Sequence, residues 1–71
     1  MRTFDRNKIK ERRQELRLSQ EKLAQIAGLT REHLVELEKG RSIPKVDMLA
    51  KLARALNVSE SYFFVEDKAV I

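Results

Sequence analysis

The sequence predicts an all-α fold, a single domain of five short helices joined by tight turns, and three observations carry that prediction. Seventy-one residues make one small domain, with room for one core and no second one. The two glycines and one proline (Gly28, Gly40 and Pro44) cut the chain into segments whose apolar residues recur every three or four positions. No segment alternates with period two for long enough to specify a strand.

The first helix is expected from about Asp5 to Arg17, with Ile9, Leu16 and the aliphatic stem of Arg13 on one face. Ser19 opens the second, because its hydroxyl can satisfy an orphan amide, and Gln20 and Glu21 follow in a first turn where the helix dipole favours acid. That helix carries Leu23, Ala24, Ile26 and Ala27, and Gly28 ends it, glycine entering the left-handed conformation without a side-chain clash. Thr30 caps the third helix, which runs from Arg31 to Lys39 on a core face of Leu34 and Leu37 and stops at Gly40. Arg41 to Lys45 form a loop stiffened by Pro44. From Val46 the spacing of Leu49, Leu52, Ala53 and Leu56 predicts a fourth helix, which Asn57 ends. Ser59 caps a short fifth helix with Tyr62 and Phe63, and Val58 and Phe63 join the core. Val65 to Ile71 show no period.

Composition excludes several classes of function. With no Cys and one His, disulfides, thiolate chemistry, conventional zinc sites and Ser/His triads lack their parts, so no catalytic residue, metal site, cofactor or small-molecule ligand is expected. No apolar run approaches the roughly 18 residues of a membrane span, and the N-terminus lacks a signal-peptide pattern. A cytoplasmic protein without a membrane partner is expected. A chain this small without staples also favours a second subunit.

The net charge is +4, and residues 1–17 hold the whole excess, seven bases (Arg2, Arg6, Lys8, Lys10, Arg12, Arg13, Arg17) against three acids. A basic N-terminal helix suits a polyanionic partner, although a solvated helix with mixed ion pairs reads the same way.

The interval between the second and third helices carries the most information. About eight helical residues, a glycine-containing turn of about three and a second helix of about nine leave too little chain for antiparallel packing, so the two helices must cross steeply as a helix-turn-helix. Such a unit requires a small residue where the helices approach, a glycine at the turn and apolar anchors. Ala24, Gly28, Leu23, Leu29, Leu34 and Leu37 stand at those offsets.

The stretch SQEKLAQIAGLTREHLVELEKGRSIPKVDMLAKLARALNVS resembles the phage repressor and Cro type of helix-turn-helix proteins, also called XRE-type, which includes restriction-modification controller proteins. The likeness covers about residues 7–64, leaving 65–71 as a tail. It implies a compact five-helix domain that binds double-stranded operator DNA as a homodimer, with the helix at about 31–39 in the major groove. Geometry and resemblance together make Thr30, Arg31, Glu32, Val35 and Glu36 the base-contacting candidates. Arg31 is placed to take the O6/N7 edge of guanine, with a phosphate contact or a solvated side chain as the alternative. Glu32 and Glu36 depart from the neutral polar residues usual on that face. A carboxylate there either accepts from cytosine N4, pairs with neighbouring bases of the helix, or opposes non-specific binding.

The resemblance also implies that Ser19, Gln20, Lys39 and Arg41 contact phosphate, with Gln20 bracing the recognition helix, and that Arg13 and Glu38 form an internal ion pair. Lys22, Lys45 and His33 read equally as solvated. Lys45 stands where the family often has a Ser or Thr cap. Tyr62, Phe64, Val65, Val70 and Ile71 hold more apolar surface than five small helices can cover, which points to a dimer contact or to docking of the tail on its own subunit. The expected function is a sequence-specific transcriptional regulator, acting as a repressor on a near-palindromic operator. The alternative is a protein-interaction module of the same fold, an antitoxin or anti-regulator partner with little intrinsic DNA affinity.

Overall fold

The computed structural model describes residues 2–66. A strand β1 (Arg2–Phe4) leads into helices α1 (Asn7–Glu15), α2 (Gln20–Ala27), α3 (Arg31–Glu38) and α4 (Val46–Leu56), then a single 3-10 turn (Glu60–Phe63) and a strand β2 (Phe64–Glu66). The all-α helix-turn-helix class holds, with four α-helices among the described residues rather than five. The segment after Ser59 is too short to continue past one turn, and the Ser59 hydroxyl contacts that of Ser61 instead of an amide.

The same chemistry closes all four helices. At each C-terminus one residue takes a positive φ (Arg17 58°, Gly28 75°, Gly40 78°, Asn57 57°). The amide that follows donates back five residues, Leu18 to Arg13, Leu29 to Ala24, Arg41 to Glu36 and Val58 to Ala53, at 2.8–3.0 Å. This arrangement satisfies carbonyls that a helix end otherwise orphans, and an apolar residue just past the stop seals it. Leu18, Leu29 and Val58 pack on the core in that way. Arg41 is the exception and faces solvent.

Helix starts follow the sequence at two positions. Ser19 Oγ accepts from Lys22 N and Thr30 Oγ1 from His33 N, each at 3.0 Å. Lys45 supplies no side-chain cap to α4. Helix α1 is shorter at both ends than its apolar spacing predicts, since Asp5 Oδ1 accepts from Asn7 N and Arg17 turns the chain away. Leu16, expected on the core face, is therefore 37% exposed.

The core is one cluster drawn from every helix: Ile9 of α1, Leu23, Ala24 and Ala27 of α2, Leu34 and Leu37 of α3, Leu49, Leu52, Ala53 and Leu56 of α4, and Phe63. Helix α2 packs on α3 and α4, and α1 bridges α3, α4 and the 3-10 turn.

The strands correct the expectation of helices alone. β1 pairs antiparallel with β2 in the register Arg2–Glu66, Thr3–Val65 and Phe4–Phe64. Three-residue strands are too short to show a period in sequence. What holds them is aromatic packing, with the Phe4 ring 5.9 Å from Phe64 edge-on and 6.5 Å from Phe63.

Several bases of the N-terminal segment have partners within the fold. Arg6 Nη1 donates to Glu38 O at 2.9 Å and Arg12 Nε to Leu56 O at 3.0 Å, so each places a cation at the negative C-terminal end of a distant helix. The Arg2 guanidinium lies 5.0 Å from the Phe64 ring and the Lys8 ammonium 5.5 Å from Tyr62. Five of the seven bases of residues 1–17 thus have a partner within the fold, while Arg2 and Arg6 stay exposed along with Lys10 and Arg17.

Candidate nucleic-acid interface

Four side chains of α3 (Arg31, Glu32, Val35 and Glu36) line one shallow surface depression. A second depression beside it is lined by Arg13, Ser19, Gln20, Glu21 and Arg31, so Arg31 joins the exposed face of α3 to the start of α2. Leu34 and Leu37 anchor the opposite face of α3 in the core, which leaves the Arg31–Glu36 side no packing role. Thr30, Arg31 and Glu32 are exposed; Val35 and Glu36 are partly buried.

The angle of α3 is fixed from behind by a buried polar network. Arg13 Nε meets Glu38 Oε2 at 2.8 Å and its Nη2 meets Oε1 at 3.2 Å, while Nη1 donates to Leu18 O at 2.8 Å. Gln20 Nε2 donates to Glu38 Oε1 at 3.1 Å. Three helices are thereby tied through one carboxylate. Two parallel bonds from a guanidinium restrict orientation as well as distance, so α1 and α2 together set how α3 is presented.

The polar groups at the face keep capacity for a ligand. The Ser19 and Thr30 hydroxyls accept the capping amides, which leaves each hydroxyl proton free to donate. Gln20 uses one amide hydrogen on Glu38 and has a second. The first amides of α2, at Gln20 and Glu21, lie in the turn where no intrahelical carbonyl reaches them. Lys39 and Arg41 are exposed at the far end of α3, and Arg41 Nη1 is 3.5 Å from Glu36 Oε2. Lys22 and Lys45 are also exposed. His33 stands apart, lining a depression with the loop residues Ser42 to Lys45 and with Asp47 and Met48. Ile43 in that loop and Val46 at the start of α4 are 79% and 81% exposed, a pair whose apolar character gave no warning of its position.

The candidates for self-association lie elsewhere. Tyr62 and Phe64 are half-buried, each with a basic side chain over its ring, whereas Val65 is 38% exposed beside Thr3 on the outer face of the two-stranded sheet. Val70 and Ile71 lie outside the described residues. Among the described residues no group of His, Asp or Glu is arranged to hold a metal, and no helix is long and apolar enough to cross a membrane.

A helix pair joined by a short glycine turn, with the second helix locked from behind and its outer face open, defines a helix-turn-helix protein. The helix-turn-helix family model matches residues 9–63. The chain is 40% identical over 67 residues to an uncharacterized HTH-type transcriptional regulator of Methanothermobacter thermautotrophicus, covering 90% of this chain and 97% of that protein. Among solved structures it resembles the restriction-modification controller protein C.AhdI from Aeromonas hydrophila, with a TM-score of 0.80, 32% identity and coverage of 83% and 89% of the two chains. The DNA-binding domain of the P22 C2 repressor shares the fold, with a TM-score of 0.82 at 24% identity over 86% of this chain and 80% of that one. The chain belongs to the helix-turn-helix family of transcriptional regulators, a class of DNA-binding proteins and not of enzymes.

Proposed function

We propose that this DNA-binding transcriptional regulator reads a specific duplex sequence by inserting α3 into the major groove, and acts as a homodimeric repressor on a near-palindromic operator. The observation that carries the reading is the open Arg31–Glu36 face of α3, held at a fixed angle by Arg13, Glu38 and Gln20. The N-terminal residues of such a helix approach the base edges, so Thr30, Arg31, Glu32, Val35 and Glu36 form the reading face. Arg31 takes guanine O6 and N7 in two hydrogen bonds. Ser19, Gln20, Lys39 and Arg41 flank that face and hold phosphates, fixing register without reading sequence.

The relatives support the class: the similar controller protein C.AhdI serves a restriction-modification system, and the P22 c2 repressor, alike in fold, has been solved with a synthetic operator. In a dimer joined through Val65 and neighbouring residues of β2, the two reading helices have to stand about 34 Å apart, the spacing of successive major grooves.

One observation favours a second reading. The outer side of α3 carries Glu32 and Glu36 against Arg31, an acidic balance that disfavours phosphate and suits a protein partner. Titrating isotopically labelled protein with duplex DNA separates the two. Amide shifts confined to Ser19–Glu21, Thr30–Lys39 and Arg41 are expected; unperturbed amides at α3 with folded protein would leave the interaction-module reading.

A further inference from the structure

The last helical stop in the reading unit differs from the other three. Where Leu18, Leu29 and Val58 follow the left-handed residue and turn into the core, the residue after Gly40 is Arg41, which turns outward. Five positions apart on a helix, side chains do not meet. Here they do, because Gly40 at φ 78° folds the chain back and the Arg41 amide donates to Glu36 O at 3.0 Å, which seats the guanidinium over the Glu36 carboxylate. Gly40 permits this turn, since φ 78° is the left-handed region that glycine enters without a side-chain clash.

We propose that Glu36 is a specificity-determining residue because it holds Arg41 in an internal ion pair that a DNA phosphate must displace. This rests on the DNA-binding reading above and goes beyond it. Both side chains are reachable, at 45% and 66% exposure, and their Nη1–Oε2 separation of 3.5 Å leaves the pair open to an incoming anion. In the free protein the carboxylate neutralises the cation. On a duplex of arbitrary sequence Arg41 gains little by trading one anion for another, and Glu36 repels the backbone. When α3 is fully seated on a matching site, the base contacts fix the helix against the groove and the exchange goes to completion. The pair thus lowers affinity for wrong sequences more than for the right one.

The test is a double-mutant cycle on the full chain: wild type, Glu36→Gln, Arg41→Gln and the double variant, each measured against a random-sequence duplex across a salt series. Glu36 is partly exposed and bonded to no buried group, so circular dichroism melts of the four proteins should coincide. Glu36→Gln is expected to tighten random-duplex binding about fivefold at low salt and to steepen the dependence of log K on log salt by up to about 0.9, the slope of one added phosphate contact. In the Arg41→Gln background the same change should have less than half that effect. An equal effect in both backgrounds would overturn the proposal, since Glu36 would then act alone. Weaker binding by Glu36→Gln would overturn it too, since the carboxylate would then favour non-specific contact and not oppose it. Wild type failing to bind any duplex at low salt would instead overturn the DNA-binding reading and the inference with it.

Discussion

Arg13 Nε lies 2.8 Å from Glu38 Oε2 in a contact with almost no access to solvent, and Glu38 in turn accepts from Gln20. The pair spans α1 and α3, so one buried carboxylate relates the scaffold to the helix with the open face. A buried charge deprived of its partner is far more costly than the pair is stabilising. Glu38→Ala is therefore expected to lower stability by about 3–5 kcal/mol in urea unfolding. Replacing both residues with apolar ones of similar volume should recover most of that loss, and a double variant as unstable as the single one would show that the fold depends on the charges themselves.

The two glycines predict different sensitivities. Both have positive φ, but a Cβ at Gly28 meets nothing within 4 Å whereas at Gly40 it meets the Arg6 stem. Gly28→Ala should cost about 1 kcal/mol for the left-handed conformation alone. Gly40→Ala should cost roughly 1 kcal/mol more, because Arg6 must move and give up its bond to Glu38 O. Equal midpoint shifts in thermal melts would contradict the close approach.

Arg17 offers the reverse experiment. It is exposed at φ 58°, and a non-glycine residue is strained there. Arg17→Gly should raise stability by about 0.5–1 kcal/mol despite adding a glycine, measured by urea unfolding. A loss would mean the side chain makes a contribution that its exposure conceals.

Much of this architecture was legible in the sequence because it is local. Ser19 and Thr30 bond amides three residues on, and Gly28, Gly40 and Asn57 stop helices through bonds within six residues, so short spacing sufficed to place the helix-turn-helix. What stayed hidden is long-range. Arg6 reaches Glu38 and Arg12 reaches Leu56 across 32 and 44 residues, and nothing in a basic N-terminal run says which cations turn inward. The three-residue strands depend on Phe4 meeting Phe64 from the opposite end of the chain, and Arg17 occupies a glycine conformation without being glycine. The exposed face of α3 was visible from Leu34 and Leu37 alone. That Arg41 would meet Glu36 was not, since it depends on the backbone turn at Gly40.

The sheet separates packing from association. Phe64 packs against Phe4 and lies beneath Arg2, so Phe64→Ala should destabilise the fold by roughly 2 kcal/mol, about half the cost of emptying a fully buried site. Val65 is exposed on the outer face. Val65→Glu should leave the melting temperature of dilute protein unchanged and weaken dimerisation at least tenfold in sedimentation equilibrium. An unchanged dimer would move the interface away from β2.

Base and phosphate contacts should be separable by substitution. Arg31→Ala is expected to relax preference at one base position of each half-site, a change of about 1–3 kcal/mol there. Lys39→Ala should weaken all duplexes alike and reduce the salt slope by about 0.9. Competition binding with single-base variants reads both effects, and a uniform loss from Arg31→Ala would reassign that residue to phosphate.

Selection from a random duplex library at about 150 mM salt, where non-specific contacts are screened, tests the central claim most directly. A sequence-specific homodimer reading DNA through α3 predicts enrichment of a two-fold symmetric site with half-sites about one helical turn apart. Folded wild-type protein that enriches no sequence would contradict it, and would direct the search to a protein partner for the face bearing Glu32 and Glu36.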